Sequence, residues 1–180
     1  LEDVRWAILV PDTVEQRAEG VRNVLARGKG AERQNAALRL GRAGRSAVPA
    51  LGELAEDEDP LVVESAVRAL ASIGGNDALT AMVALLKVGD SNIRMTAAQS
   101  LGHARNPAAV KALLTVLNDP NEVVACAALS ALDEINGERN YFPSKKTQPP
   151  EVIQGLKGSL SEPRWRVRAA AAEVTGKLGV

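Results

Sequence analysis

The sequence predicts an all-α fold, a solenoid of about five stacked helical hairpins, and three observations carry that reading. Alanines recur at Ala36, Ala66, Ala97, Ala128 and Ala171, in steps of 30, 31, 31 and 43 residues. Four residues beyond them stand Leu40, Leu70, Leu101 and Leu132, with Thr175 the exception, and three further on Ala43, Ile73, Ala104, Ile135 and Leu178. A separate column of small residues, Gly20, Ala50, Ala81, Ala112 and Gly155, keeps the same uneven spacing and is followed at once by Val21, Leu51, Met82, Leu113 and Leu156. Two columns sharing one irregular period are hard to obtain by chance.

Residues 1–12 hold an apolar cluster, Val4, Trp6, Ile8, Leu9 and Val10, closed by Pro11 and Asp12. They read as a cap, or as the end of a preceding repeat, because a terminal hairpin otherwise leaves its apolar side to water. Five repeats follow, at about 13–44, 45–74, 75–105, 106–136 and 149–180. Each opens with a first helix whose apolar residues fall at helical spacing, such as Leu79, Met82, Leu85 and Leu86, or Val110, Leu113, Val116 and Leu117. An acidic turn comes next: Asp59-Pro60, Asp90-Ser91, Asp119-Pro120 and Glu162-Pro163. Aspartate caps free N–H groups and proline suits the first helical position, so these turns are expected to start the second helices. Gly44, Gly74 and Gly179 stand where second helices should stop.

Within a second helix, Ile93, Ala97, Ala98, Leu101 and Ala104 define one apolar face. The columns of Met95, Gln99 and His103 are mostly polar across repeats and are expected to look outward: Gln34, Leu38, Arg42; Glu64, Arg68, Ser72; Cys126, Ser130, Glu134; Ala169, Glu173, Lys177. The small column at Gly20, Ala50, Ala81, Ala112 and Gly155 is expected to let first and second helices approach closely. The motif Ile93-Arg94-x-x-Ala97-Ala98-x-x-Leu101-Gly102, with the aspartate-proline turns and the period, resembles the short HEAT-like repeats of phycobilisome lyases over about residues 13–180. That resemblance implies a HEAT-like superhelix and is unspecific for activity. Lys29-Gly30 in place of the acidic turn and Thr175 in place of leucine depart from it, both in outer repeats.

The long step leaves an insertion at 137–148, before Pro149-Pro150 opens the last hairpin. It holds Tyr141 and Phe142, followed by Lys145 and Lys146. The two rings either fill the gap where repeats four and five splay or contact a partner.

Basic and acidic residues balance at 22 each, yet residues 46–136 carry five basic against twelve acidic groups, an acidic middle between basic ends. That middle interrupts any continuous cationic face, which phosphate binding requires. Nucleic-acid binding of the kind seen in HEAT-like alkylation-repair glycosylases is therefore disfavoured. Arg33, Arg94 and Arg168 share one column and match the family consensus, where they bridge to acidic residues of a neighbouring repeat. His103 and Cys126, each the sole residue of its type, share the outward stripe one repeat apart, displaced by roughly 12 Å at 1.5 Å per residue, too far for a catalytic pair. Glu56-Asp57-Glu58-Asp59 lacks the spacing of a calcium loop and reads as a solvated turn. The His-Glu pairs by which HEAT-like deoxyhypusine hydroxylases hold iron are missing, so no metal, cofactor or catalytic residue is assigned.

No apolar run reaches the roughly 20 residues of a membrane helix and no signal peptide is recognisable, which reads as a cytoplasmic chain without membrane insertion. It begins at Leu1, as an excised domain or processed product of a longer protein would. The expected function is a non-catalytic scaffold that binds a protein partner through the second-helix face and the insertion. The candidate contact residues are Arg68, Gln99, His103, Tyr141, Phe142, Lys145, Lys146, Arg164, Trp165 and Arg166. The alternatives are a bilin-lyase-like subunit, implied by the resemblance, and a nucleic-acid-binding domain. The run Ala169-Ala170-Ala171-Ala172 leaves an apolar flank, to be covered by continuation of the array or by end-to-end contact.

Overall fold

A computed structural model describes residues 28–137 and 149–178. The expected cap at 1–12, the column residue Gly20, Gly179 and the insertion residues Tyr141, Phe142, Lys145 and Lys146 lie outside them. The described residues form helices and turns, without a strand. The chain divides into two compact units, residues 1–85 and 86–180.

In the first unit α1 (Gly30–Leu40) leads through a 3-10 segment (Gly41–Ala47) to α2 (Val48–Leu54), then α3 (Pro60–Ile73) and α4 (Gly75–Leu85). Helix α3 is the centre, packed against α1, α2 and α4. Its start follows from its sequence: Asp59 accepts the Leu61 N–H at 3.0 Å, and Pro60 supplies a fixed φ at the first helical position. It ends at Gly74 and Gly75, with φ of +63° and +78°, a doubled left-handed turn that side-chain-bearing residues rarely adopt. The unit's core is Ala37, Leu51, Leu54, Val62, Ala66, Val67 and Leu70, all fully buried.

The second unit contains α5 (Ser91–His103), a 3-10 turn (Pro107–Ala109), α6 (Val110–Thr115), α7 (Glu122–Asn136), α8 (Pro150–Leu160) and α9 (Trp165–Leu178). Helix α7 packs between α5 and α9, while α6 and α8 pack on each other and on the second helices of their own hairpins. Nine of its fifteen residues are buried, Val124 to Asn136, because neighbours cover it on several sides. Leu101, Leu113, Leu129, Leu132 and Leu156 complete a core of aliphatic side chains and alanine. Each fully buried leucine contributes about 1.5–3 kcal/mol of transfer free energy. Thr175 is tolerated in the leucine column because its hydroxyl donates to its own helix, at the Ala171 carbonyl.

Four expectations change. The turns Asp119-Pro120 and Glu162-Pro163 do not start helices. Helix α7 begins at Glu122, capped by Asn121 Oδ1 on the Val123 N–H at 2.9 Å, and α9 begins at Trp165, because the earlier acid is engaged elsewhere. At Gly155 the small column does not serve the approach of first to second helix: a Cβ there would meet Leu114 and Leu117 side chains at 3.0 and 3.1 Å, so it serves the approach of consecutive first helices. Ala104 is exposed, since α5 has already ended. The acidic segment is not simply solvated: Asp57 is a buried ion-pair partner of Arg33, and Asp59 is a cap.

Candidate functional site

The second helices carry an exposed, mostly polar stripe. In the first unit Leu38, Arg42, Glu64, Arg68 and Ser72 are exposed and Gln34 is half-buried, with Leu38 at 50%. Arg68 pairs with Glu64 one turn before it. In the second unit Gln99, His103, Ser130, Ala169, Glu173 and Lys177 are exposed, and Met95, Cys126 and Glu134 are half-buried. The alternation arises because the opposite face, Ala97, Ala98, Leu101 and their counterparts, is taken up by the core. The His103 Nδ1–H donates to the Gln99 carbonyl at 2.8 Å, which directs its other ring nitrogen away from that carbonyl. Lys177 donates to Asp133 at 2.7 Å and pairs with Glu173 at 2.9 Å; hydrogen bonding to Asp133 first and Glu173 second pushes its ammonium well above the ordinary lysine range.

The three candidates near the last turn divide. Trp165 is 65% exposed, with the Arg166 guanidinium 5.6 Å from its ring centre, a cation–π contact. Arg166 also reaches Glu122 at 3.0 Å. Arg164 is an internal strut. Its Nε and Nη2 donate to Glu162 at 3.1 and 2.6 Å, and its Nη1 donates to the Asp119 and Pro120 carbonyls at 2.6 and 3.2 Å. These bonds hold the Glu162 carboxyl below the usual range.

Two members of the arginine column bridge repeats as expected. Arg33 Nε lies 2.8 Å from Asp57, and its Nη1 donates to the Gly28 carbonyl at 2.7 Å. Arg94 makes the fuller site: Nε and Nη2 meet both oxygens of Asp119 at 2.7 and 3.0 Å, a bidentate pair, and Nη1 donates to the Val88 and Gly89 carbonyls at 2.9 and 2.7 Å. Asp119 also accepts the Asn121 N–H at 2.8 Å. Burial opposes ionisation of Asp119 most strongly. The bonds from Arg94 and Asn121, with the charges of Arg94 and Arg164, outweigh it and hold the carboxyl below its ordinary value. These guanidinium groups are committed to internal carboxylates and carbonyls, which leaves them poorly placed to meet phosphates.

Burial, with Glu122 nearby, pushes the Cys126 thiol up, only partly offset by Arg164 and Arg166, the opposite of an activated nucleophile. Among the described residues, no group of three or more His, Cys, Asp or Glu side chains converges on a metal position. None of their helices is long and apolar enough to cross a membrane. Sequence reasoning missed the role of Asp57 and Asp119 as acceptors; both stand nine residues before a marker alanine, a column that could have been read.

Among solved structures, the chain is similar to the complex of CpcE and CpcF of phycocyanin lyase from Nostoc sp. PCC7120, at 26% identity and TM-score 0.57, covering 89% of this chain and 64% of that one. It therefore spans less than two thirds of that lyase chain. A designed armadillo repeat protein in complex with the peptide (KR)4 aligns at 18% identity and TM-score 0.58, over 92% of this chain and 83% of that one. An engineered protein aligns at 20% identity and TM-score 0.53, over 99% of both. The latter two show the repeat-solenoid fold alone. Comparison with curated proteins gives no match. The family model for HEAT repeats matches residues 18–95 and 82–176, and the chain belongs to the HEAT repeat family.

Proposed function

We propose that this chain is a non-catalytic interaction module that binds a protein partner through the polar stripe of its second helices and the 137–148 insertion. The observation that carries the reading is the stripe itself: Arg68, Ser72, Gln99, His103, Ser130 and Lys177 are exposed side chains on helices whose other faces are locked in a close-packed core. Within each unit, side chains presented by helices on a packed core recognise a macromolecule with little ordering cost. Trp165 and Arg166, an aromatic and an arginine side by side, are the residue types that dominate interface energies. The internal engagement of Arg33, Arg94 and Arg164 argues against a nucleic-acid role, and the raised Cys126 thiol against covalent catalysis.

The test is affinity capture from native extract with the chain and with two surface variants, Arg68→Glu/Gln99→Arg and Tyr141→Ala/Phe142→Ala. Loss of a defined partner with an unchanged melting midpoint supports the reading. Capture by both variants undiminished from the parent chain's removes it, and a large loss of stability in the second makes Tyr141 and Phe142 gap fillers instead.

A second reading has one observation behind it, the 26% identity to a phycocyanin-lyase complex over 89% of this chain. On that reading the chain is a lyase subunit that handles a bilin. The chain's aromatic residues, Trp6, Tyr141, Phe142 and Trp165, offer little to sandwich a flat chromophore. An absorbance titration with bilin that leaves the chromophore spectrum unshifted excludes it.

A further inference from the structure

The first, third and fifth repeats share a triad that the second and fourth lack: an arginine three residues before the marker alanine, an alanine one after it and a glycine five after it. These are Arg33/Ala37/Gly41, Arg94/Ala98/Gly102 and Arg168/Ala172/Gly176. Spaced by four, the members of each triad line one stripe of a helix. On α1 and α5 the stripe is closed by the second helix of the next repeat. A Cβ on Gly41 would stand 3.0 Å from Ala69 of α3, and one on Gly102 only 2.7 Å from the Cα of Ala131 of α7. Ala37 and Ala98 are fully buried, and the arginines meet Asp57 and Asp119.

On α9 no described residue closes the same stripe. Arg168 and Ala172 are exposed, and among the described residues nothing lies within 4 Å of a Cβ placed on Gly176. Arg168 is nonetheless set as its counterparts are. Its Nη1 donates to the Glu162 and Pro163 carbonyls at 2.8 and 2.6 Å, as Arg94 Nη1 does to Val88 and Gly89. The guanidinium is thereby anchored at the turn, while the Nε and Nη2 edge that in Arg94 grips Asp119 has no carboxylate among the described residues. Trp165 stands three residues before Arg168, one turn along the same side of the helix.

We propose that α9 docks a further helical hairpin of a partner protein, one with an acidic residue in the turn before its second helix and an alanine twelve residues later. That spacing is the one between Asp57 and Ala69 and between Asp119 and Ala131. A second copy of this chain meeting α9 head to tail does not fit. The corresponding positions of its first repeat are Arg27 and Arg39, which set like charge against Arg168, and the acids of its second and fourth repeats are already engaged by Arg33 and Arg94. The surface shares Trp165 with the contact residues proposed above but is otherwise distinct from the polar stripe of Arg68, Gln99 and His103, on which capture is tested.

The probe is this chain's own fourth hairpin. Residues 107–137 are fused directly after Val180, which keeps register because Val180 stands in the fifth repeat where Asn106 stands in the third. A companion fusion carries arginine for aspartate at the appended copy of Asp119, and the difference between the two isolates Trp165 from Trp6. The acidic fusion is expected to shift Trp165 emission to shorter wavelength, reduce its quenching by acrylamide and raise the melting midpoint by several degrees. Both the arginine companion and an Arg168→Ala host are expected to lose those gains. Emission and midpoint equal to the parent chain's overturn the docking face. Equal gains from the acidic and arginine fusions overturn the stated partner chemistry. Neither outcome bears on capture through the polar stripe.

Discussion

Removing the carboxylate of Asp119 exposes how far this fold depends on a polar contact at a turn. The Arg94 and Asp119 side chains are 12% and 6% exposed, so Asp119→Ala leaves a largely buried guanidinium edge without its anion and the Asn121 N–H without its acceptor. One-sided removal of a buried ion pair costs roughly 3–5 kcal/mol, and because Arg94 Nη1 keeps the Val88 and Gly89 carbonyls the expected loss is about 3 kcal/mol, at the lower end. For a chain of this size that lowers the melting midpoint by about 6–12 °C. The comparison is Asp59→Ala, which deletes a cap on the Leu61 N–H and should cost about 1 kcal/mol. Circular dichroism gives both midpoints, and labelling of Cys126 within α7 reports opening of the second unit. The pH dependence has a definite sign. The folded carboxyl of Asp119 lies below its unfolded value, so its stabilisation is full above about pH 4 and is lost as pH falls through the folded value. The gap between wild type and Asp119→Ala should be constant from pH 7 to 5 and narrow on further acidification. An Asp119→Ala cost no greater than that of Asp59→Ala, or a gap that widens in acid, would refute the reasoning.

Gly102→Ala should destabilise by about 1–3 kcal/mol, because its Cβ would press on the Ala131 backbone, whereas Gly176→Ala should stabilise by about 0.4–1 kcal/mol through the unfolded chain, both read from urea unfolding. Leu132→Ala in the closed centre of α7 should cost about 2–5 kcal/mol by the same measurement. Cys126 should react with a disulfide reagent at pH 8 more slowly than free cysteine does, because burial and Glu122 raise its thiol; a faster reaction would contradict that environment. Lys177→Gln should lower the melting midpoint slightly in dilute buffer and leave it unchanged in molar salt, since the contacts to Asp133 and Glu173 are exposed and screened.

Helical hairpins, their period and most of the core were legible in the sequence because apolar spacing is a local property: Ala97, Ala98 and Leu101 must share a face of any helix they form. The exposed stripe followed from the same geometry, as the complement of that face. What remained open was which partner each polar residue meets across repeats. Asp119 has the sequence signature of a helix start, yet the tertiary structure spends it on Arg94, twenty-five residues away in sequence, and Asn121 caps the helix instead. Gly155 sits in a column that points to contact between first and second helices, yet it admits Leu114 and Leu117 of the hairpin before. Periodicity fixes the direction a side chain leaves its helix; only the packing of one hairpin on the next decides what it finds there.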